Sequence, residues 1–435
     1  MHRARTRKGR GAVSNESGRF EVHTLHPVDD GWHTNESQTD SYHTDGSPSS
    51  NCPGSAGQFK SSQIKGSQSS GYQSVPTENG YEDVWSITQR LKTEWQEDKS
   101  KTIITRNRSP DIHFDRSLNP YRGCEHGCIY CFARPTHSWL GHSAGLDFET
   151  KLYAKLDAAT LLKRELAKPG YQCEPIAIGV NTDAYQPLER KLKLTRQVLS
   201  VLSEARHPAY LITKSSLIER DIDILKDMSR QNLVSACVSI TTLNPRLARK
   251  LEPRATSPHR RLKILENLSK AGIPTRVSIS PVIPALNEEE IDNIVAAAAD
   301  AGAVAAYAIA LRLPHELQTL FPEWLQQHYP LRAARVLKAI RSMRNDRLNN
   351  AEFGHRMVGA GPRADIIQTR FQLACKRANI AVGRDFELNK ALFQAPVLSE
   401  KVAESTESAQ STQSTQSTNK ANNQSPKRQM QLFAD

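Results

Sequence analysis

The chain has 435 residues, a hydrophobic content of 38% and a formal net charge of +12. That hydrophobic content is low for a chain that folds throughout, so part of it is expected to be disordered. No apolar run is long enough to span a bilayer, and the basic N-terminus is not followed by the apolar stretch of a secretory signal. The positive charge favours contact with anions such as nucleic acid.

Polar sequence of low complexity dominates the beginning of the chain. Residues 1–84 are rich in Ser, Gly, Asn, His, Thr and Asp and show no helical or strand period. This composition predicts a mostly disordered head. Its cations would either make nonspecific phosphate contacts or simply remain solvated. These cations are Arg3, Arg5, Arg7, Lys8 and Arg10.

Three cysteines, Cys124, Cys128 and Cys131, lie close together on one short predicted loop. Thiolates at this spacing can bind one soft metal centre. Closed zinc sites and electron-transfer clusters normally take four protein ligands, so three thiolates leave a position open for chemistry. A structural zinc knuckle completed by His126 is the alternative. His126 lies between two of the cysteines, where its ring could hardly turn inward with them.

The other four cysteines, Cys52, Cys173, Cys237 and Cys375, are scattered singly. An odd total with one tight group argues against a disulfide framework and indicates a reducing, cytosolic setting. Cys237 lies in an apolar strand pattern and Cys375 in an amphipathic helical pattern, so both are expected in the core.

Short apolar segments alternate with amphipathic helical segments after the cysteine loop. Strands are predicted at 175–180, 208–213, 234–240, 275–283 and 303–311. Helices are predicted at 192–205, 217–229, 258–271 and 288–301. If 118–123 ends a first strand, the strands number six. The alternation predicts an α/β fold with a parallel sheet, built as an open, partial (β/α)6 TIM-type barrel.

In such folds ligands bind at the carboxyl ends of the strands. Polar residues at or near predicted strand ends are therefore expected to face one mouth. They are Asn181, Thr182, Asp183, Lys214, Ser215, Thr241, Ser280 and Arg312. For Lys214 and Arg312 a salt bridge at the rim is an equal alternative, and for Asp183 the alternative is a turn residue.

The cysteine loop resembles the CxxxCxxC motif of the radical S-adenosylmethionine (SAM) superfamily, with the aromatic Tyr130 before its last cysteine. Residues 130–134, 181–189, 212–215 and 251–254 further resemble the spore photoproduct lyase-like branch. Within that branch the chain is similar to an uncharacterised bacterial group. The resemblance covers roughly 110–320, within a core predicted at 85–320 and followed by a helical extension at 321–395.

The resemblance implies an enzyme in which Cys124, Cys128 and Cys131 hold a [4Fe–4S] cluster whose fourth iron binds SAM. Reductive cleavage of SAM then gives a 5′-deoxyadenosyl radical that abstracts hydrogen from a substrate. The electron donor would be a protein such as flavodoxin or ferredoxin. The resemblance to a photoproduct lyase, together with the net positive charge of the chain, implies DNA or a DNA lesion as the substrate, as in DNA repair. The alternative is a non-catalytic DNA- or clamp-associated iron–sulfur protein.

The resemblance also implies roles for the strand-end residues. Tyr130 would pack against adenine, and Asn181, Thr182 and Asp183 would lie near the methionine amino group. Lys214 or Ser215 would hold the carboxylate. The nucleoside or substrate side would be lined by Thr241, Ser280 and Arg312.

One departure from spore photoproduct lyases is visible at 181–185, which contains no hydrogen-donating cysteine. Either another donor acts, with Tyr185 as the candidate, or the reaction is a different one. Cys173 is expected at the opposite end of its strand.

A polar tail is predicted to be disordered over 396–435, with Ser-Thr-Gln repeats from about 408. Its Gln429–Phe433 segment resembles the peptide by which bacterial proteins bind the replication sliding clamp. An apolar anchor on a flexible tether suits binding coupled to ordering. A chance apolar end is an equal alternative.

Overall fold

A computed structural model of the chain describes residues 7, 9–16, 19–20, 91–383 and 387–398. Most of the predicted head, nearly all of the predicted tail and the clamp-like peptide at 429–433 lie outside these residues. Within the described ranges, no helix has both the length and the apolar character needed to cross a membrane.

Eleven strands in the described residues form two sheets. They are β1 (Glu94–Glu97), β2 (Ile104–Arg106), β3 (Arg116–Leu118), β4 (Tyr121–Arg122), β5 (Lys151–Ala154), β6 (Ile176–Ile178), β7 (Ala209–Thr213), β8 (Val234–Ser239), β9 (Thr275–Val282), β10 (Ala305–Ala310) and β11 (Ala381–Val382). The larger sheet has the order β11-β10-β9-β8-β7-β6-β3-β2. All its neighbours pair in parallel except β2 and β3. This topology confirms the predicted α/β fold with a parallel sheet.

The helices lie between the strands and after β10. The α-helices are α1 (Asp147–Thr150), α2 (Ala158–Leu166), α3 (Glu189–Leu192), α4 (Leu194–Glu204), α5 (Ile222–Arg230), α6 (Pro245–Leu251), α7 (Pro258–Lys270), α8 (Ile291–Asp300), α9 (Leu317–His328), α10 (Pro330–Ser342) and α11 (Pro362–Arg377). Short 3-10 helices occur at Arg134–Leu140, Ser216–Asp221 and Glu288–Glu290. Every strand and helix predicted between 175 and 311 is present, with its ends shifted by a few residues.

The first predicted strand, 118–123, is corrected by the structure. Strand β3 of the large sheet ends at Leu118, and β4 pairs instead with β5 in a separate three-stranded sheet of order β1-β5-β4. Pro120 lies between the two strands and has no N–H group to continue the ladder. The chain therefore leaves the large sheet before it reaches the cysteine loop.

Two apolar clusters hold the fold together. The larger one packs α2, α4, α5, α7, α8 and α11 on the main sheet, and it includes the predicted core residue Cys375. The second packs α6, α9 and α10 against the cysteine loop. Cys237, in β8, is fully buried as predicted.

The N-terminal segment, residues 9–16, contradicts the prediction of disorder for that part of the head. Ala12 and Val13 are buried in the second apolar cluster. Arg10, predicted to meet phosphate or solvent, is buried and donates to the carbonyl oxygens of Glu149 at 2.8 Å and Leu91 at 2.6 Å. Its guanidinium therefore binds groups inside the protein and does not face solvent.

Candidate active site

A pocket of about 220 Å³ lies at the carboxyl ends of the parallel strands. Its lining includes all three clustered cysteines together with seven of the other residues predicted for the site. These seven are Tyr130, Asn181, Thr182, Asp183, Lys214, Ser280 and Arg312. The structure therefore brings residues from the ends of β6, β7, β9 and β10 to one place.

Close backbone packing fixes the cysteine loop. The Cys124 N–H donates to the Phe148 carbonyl oxygen at 3.0 Å, and the Ile129 N–H donates to that of Leu251 at 3.1 Å. Gly123 has a φ of 75°, and a Cβ atom there would lie 2.9 Å from the Phe148 oxygen. Only glycine combines that left-handed backbone with so close an approach.

The three thiols are free, and Cys124 and Cys128 are buried while Cys131 is half-buried. Burial raises the pKa of Cys124, and the nearby Asp183 carboxylate raises it further. Burial also raises the pKa of Cys128 to about 12, although Lys214 opposes this. Both groups are therefore neutral thiols unless a bound cation compensates the thiolate charge.

His126 is a poor candidate for a fourth ligand because its ring is turned towards Asp183. Its Nδ1 atom lies 3.3 Å from the Asp183 Oδ2 atom. Across the described ranges, no three His, Cys, Asp or Glu side chains are grouped closely enough to hold a single metal ion.

Asp183 organises the turn after β6. It accepts hydrogen bonds from the Thr213 hydroxyl and from the Lys214 N–H, each at 2.7 Å, and from the Tyr185 N–H at 2.9 Å. Burial alone would raise the pKa of Asp183, but His126 and these donors hold it below its usual range. The turn role named as an alternative is thus present, and Asp183 also lines the pocket.

A buried network anchors Tyr130. Its hydroxyl donates to Glu252, which also accepts from Arg261 and, at 2.7 Å, from the Thr241 hydroxyl. Burial would raise the pKa of Glu252, but Arg261 and Lys214 lower it to about 2. The Lys214 ammonium lies 5.9 Å from the centre of the Tyr130 ring. The network holds the Tyr130 hydroxyl in place, and the ring lines the pocket.

Three predicted site residues do not line the pocket. Thr241 is fully buried and its hydroxyl is engaged by Glu252. Ser215 accepts from the Leu217 N–H at 3.2 Å and caps the following 3-10 helix. Tyr185, the candidate hydrogen donor, is packed in the main apolar core. Ser215 and Thr241 each lie two residues after a strand, but all three side chains contact neighbouring elements instead of the pocket.

Sequence reasoning missed one wall of the pocket. This wall is apolar and aromatic, and it consists of Ile112, His113, Phe114, Phe132, Tyr307 and Met357. Asp111 binds Arg356 at 2.6 Å, which joins the 112–114 segment to the segment that carries Met357. These two segments are distant in the chain and have no periodic pattern, so only Phe132, next to Cys131, and Tyr307, inside a predicted strand, could have been found.

Comparison with known families and proteins identifies the domain. Residues 118–298 match the model of the radical SAM superfamily. The chain contains a radical SAM domain. The superfamily implies a [4Fe–4S] cluster and SAM as cofactors.

Several proteins are similar to this chain over part of its length. The uncharacterized protein Rv2578c of Mycobacterium tuberculosis is 34% identical over 221 residues, which cover 50% of this chain and 65% of that protein. The uncharacterized protein MJ0683 of Methanocaldococcus jannaschii is 29% identical over 192 residues, 44% of this chain and 69% of that protein. A radical SAM Nalpha-GlyT isomerase of Pseudomonas phage M6 is 26% identical over 194 residues, 44% of this chain and 38% of that protein. The match thus spans 65% of the length of the mycobacterial relatives, which is less than two thirds.

Among solved structures, a spore photoproduct lyase variant matches with a TM-score of 0.49 and 13% identity, over 66% of this chain and 80% of that one. Streptococcus suis SuiB bound to S-adenosylmethionine matches with a TM-score of 0.32 and 12% identity, over 49% of this chain and 39% of that one.

The residues of the radical SAM domain fit the implied cofactors. The three free thiols line one pocket, and those of Cys124 and Cys128 are neutral by themselves, which suits a cationic cluster that stabilises thiolates. The adjoining wall carries the Lys214 cation and the buried Asp183 carboxylate. These are opposite charges suited to an amino acid carboxylate and amino group.

A second layer of contacts supports the cysteine loop from behind. The fully buried Arg134 donates to the Cys128 carbonyl oxygen at 2.8 Å and forms an ion pair with Glu149 at 2.5 Å. The Glu149 carboxylate also accepts from the N–H groups of Gly11 at 3.0 Å and Ala12 at 2.8 Å. The N-terminal segment is thereby joined to the loop of the radical SAM domain through one carboxylate.

Proposed function

We propose that this protein is a radical SAM enzyme whose cluster is held by Cys124, Cys128 and Cys131. The observation that carries the proposal is the position of these three thiols on one pocket at the strand ends of a radical SAM domain. When bound, the cluster would pass one electron to SAM, breaking its sulfonium C–S bond to give methionine and a 5′-deoxyadenosyl radical that takes a hydrogen atom from the substrate.

The residues around the thiols would bind and orient SAM. Lys214 would pair with its carboxylate, and Asp183 would accept from its amino group. Tyr130, fixed by Glu252, offers a flat face for adenine. The apolar wall that contains Phe114 and Met357 would exclude water, which protects a reactive carbon radical from side reactions.

The test compares two cysteine variants. Anaerobic reconstitution with iron and sulfide should give broad absorbance in the violet-blue, and reduction by flavodoxin and its reductase should yield 5′-deoxyadenosine from SAM. Cys128→Ala should lose both properties. Cys173→Ala, which alters a half-buried thiol just before β6, should retain both. Cofactor cleavage by Cys128→Ala would refute the proposal.

A non-catalytic iron–sulfur protein is the alternative, and the same assay separates the two. A binding protein would be reconstituted with iron but would form no 5′-deoxyadenosine.

DNA is the substrate class that we propose. Its support is the net charge of +12 and a pocket wall that includes the rings of His113, Phe114 and Tyr307, which suit a planar base. With deuterium-labelled DNA, deuterium should appear in 5′-deoxyadenosine. Its absence with single-stranded and duplex DNA, under conditions that cleave SAM, would exclude DNA.

Binding of a sliding clamp through Gln429–Phe433, and a cytoplasmic location, belong to the same proposal. A synthetic peptide of residues 424–435 should bind a bacterial clamp in calorimetry, and the peptide with Leu432 and Phe433 replaced by Ala should not. Equal heats for both peptides would rule the clamp out.

A further inference from the structure

Two neighbouring helices carry only positive charges. Among the α-helices that the structure describes, α6 and α10 alone contain no Asp or Glu. Their cations are Arg246, Arg249, Lys250, Arg332, Arg335, Lys338 and Arg341. All of these except Lys250 are exposed.

On α5, α7, α8 and α11, which pack on the main sheet, charges are arranged differently from those on α6 and α10. Exposed cations there commonly pair with a nearby acid, as in Arg230 with Asp227 at 2.9 Å and Lys263 with Glu266 at 2.9 Å. On α11, Arg370 pairs with Asp292 of the neighbouring α8. The absence of acidic residues from α6 and α10 is therefore specific to these two among the described α-helices. It does not simply follow from the net positive charge of the chain.

The two helices are adjacent in the fold. Lys250 of α6 donates to the His328 carbonyl oxygen at 3.3 Å and lies 4.3 Å from the centre of the Tyr329 ring, at the start of α10. Leu247 and Val336 share the second apolar cluster. The two helices thus adjoin at Lys250, and we call their exposed cations together the α6–α10 surface.

Both helices are joined, on their buried side, to segments that line the pocket. At the end of α6, the Leu251 carbonyl oxygen accepts from the Ile129 N–H of the cysteine loop at 3.1 Å. After α10, the buried Arg344 donates to the Leu311 carbonyl oxygen at 2.8 Å, next to Arg312. The two helices are therefore neighbours of the pocket-lining segments.

We propose that the α6–α10 surface binds the phosphate backbone of a nucleic acid strand and presents a nucleotide to the pocket. The inference deepens the proposed function and rests on it for the identity of the site. From Arg332 to Arg341 the helix rises about 14 Å. Since one strand of a duplex advances about 3.4 Å per nucleotide, this length matches about four phosphates.

A membrane surface is less well matched. An interfacial helix turns an apolar face to lipid. The apolar face of α10, with Ala333, Val336 and Ile340, is instead packed in the core. Only charged and small residues, with Leu331, remain outside. A nucleic acid backbone, which offers phosphates and no apolar phase, therefore matches the exposed side of α10 better than a membrane does.

The experiment removes charge from the surface without touching the pocket. Arg335→Gln, Lys338→Gln and Arg341→Gln are combined in one variant, and binding to fluorescent duplex DNA, single-stranded DNA, RNA and anionic phospholipid vesicles is measured over a range of salt. Affinity should fall about tenfold or more, and the slope of log K against log salt should fall by about 2 to 3. The three nucleic acids show which strand form is preferred.

A matched variant controls for net charge. Lys168→Gln, Lys226→Gln and Lys263→Gln also remove three exposed cations, but from α5, α7 and the end of α2. This control should retain affinity and slope. Equal losses in both variants, no loss in either, or binding only to anionic vesicles would overturn the inference. Cleavage of SAM without nucleic acid should be the same in all three proteins, so the outcome is independent of the test at Cys128.

Discussion

Lys214 acts at two levels, because its backbone and its side chain serve different parts of the site. The N–H group donates to Asp183 and so shapes the turn after β6. The ammonium lines the pocket, where burial lowers its pKa but the negative charges of ionised Cys128 and of Glu252 raise it above the ordinary value. Lys214 is therefore a cation at neutral pH, as a carboxylate ligand requires.

We expect Lys214→Met to weaken SAM binding about tenfold or more, because a hydrogen bond to a charged group is lost while the stem of the side chain remains. Iron content after reconstitution should not change, since the backbone contact with Asp183 persists. Equilibrium dialysis of SAM measures the affinity and metal analysis measures the iron, with Lys191→Met on the exposed face of α3 as the control. If Lys214→Met bound SAM with unchanged affinity, Lys214 would have no role in binding the cofactor.

At the scale of elements, the N-terminal segment is a support of the cysteine loop. A Cβ atom at Gly11 would lie 1.7 Å from the Gly127 carbonyl oxygen, so only glycine fits between segment and loop. The same segment reaches Asp147, whose N–H donates to the Asn15 side chain at 3.0 Å. Segment and loop are thus packed backbone to backbone.

Gly11→Ala should separate the segment from the loop. We expect less iron to be retained after reconstitution, and we expect trypsin to cleave after Arg10, which is 7% exposed in the intact protein. Mass spectrometry of limited digests measures the cleavage. Gly9→Ala is the control: Gly9 has open space around its α-carbon, although its φ of 75° adds slight strain. Protection of Arg10 in Gly11→Ala would show that the segment tolerates the methyl group.

The elements differ in how far their sequence predicts them. Strands such as β6 and β7 are mainly apolar runs, so burial on both faces is visible in the sequence. The N-terminal segment has no period, and its burial depends on Glu149, more than a hundred positions away. The wall around Met357 likewise depends on Arg356 meeting Asp111. Long-range polar pairs of this kind leave no local pattern.

For the whole molecule, two buried histidines connect stability to pH. Burial lowers the pKa of both His137 and His207 to about 4. The His207 Nδ1–H donates to the Pro208 carbonyl oxygen at 2.9 Å, so Nε2 accepts from the Tyr171 hydroxyl, also at 2.9 Å. Arg116 adds a like charge that disfavours protonation. The neutral ring thus joins the chain after α2 to the start of β7.

Because the folded pKa of His207 lies below the unfolded value of about 6.5, its contribution to stability is complete above pH 6.5 and is lost as pH falls towards 4. Between pH 7 and pH 5 the contribution of His207 to the free energy of unfolding should fall by about 2 kcal/mol. His207→Gln retains a donor and an acceptor without titrating, so its free energy of unfolding in urea should fall correspondingly less over this interval. His259→Gln, at an exposed position, should behave as the unaltered protein. The same decline in all three proteins would mean that His207 is already charged in the folded state.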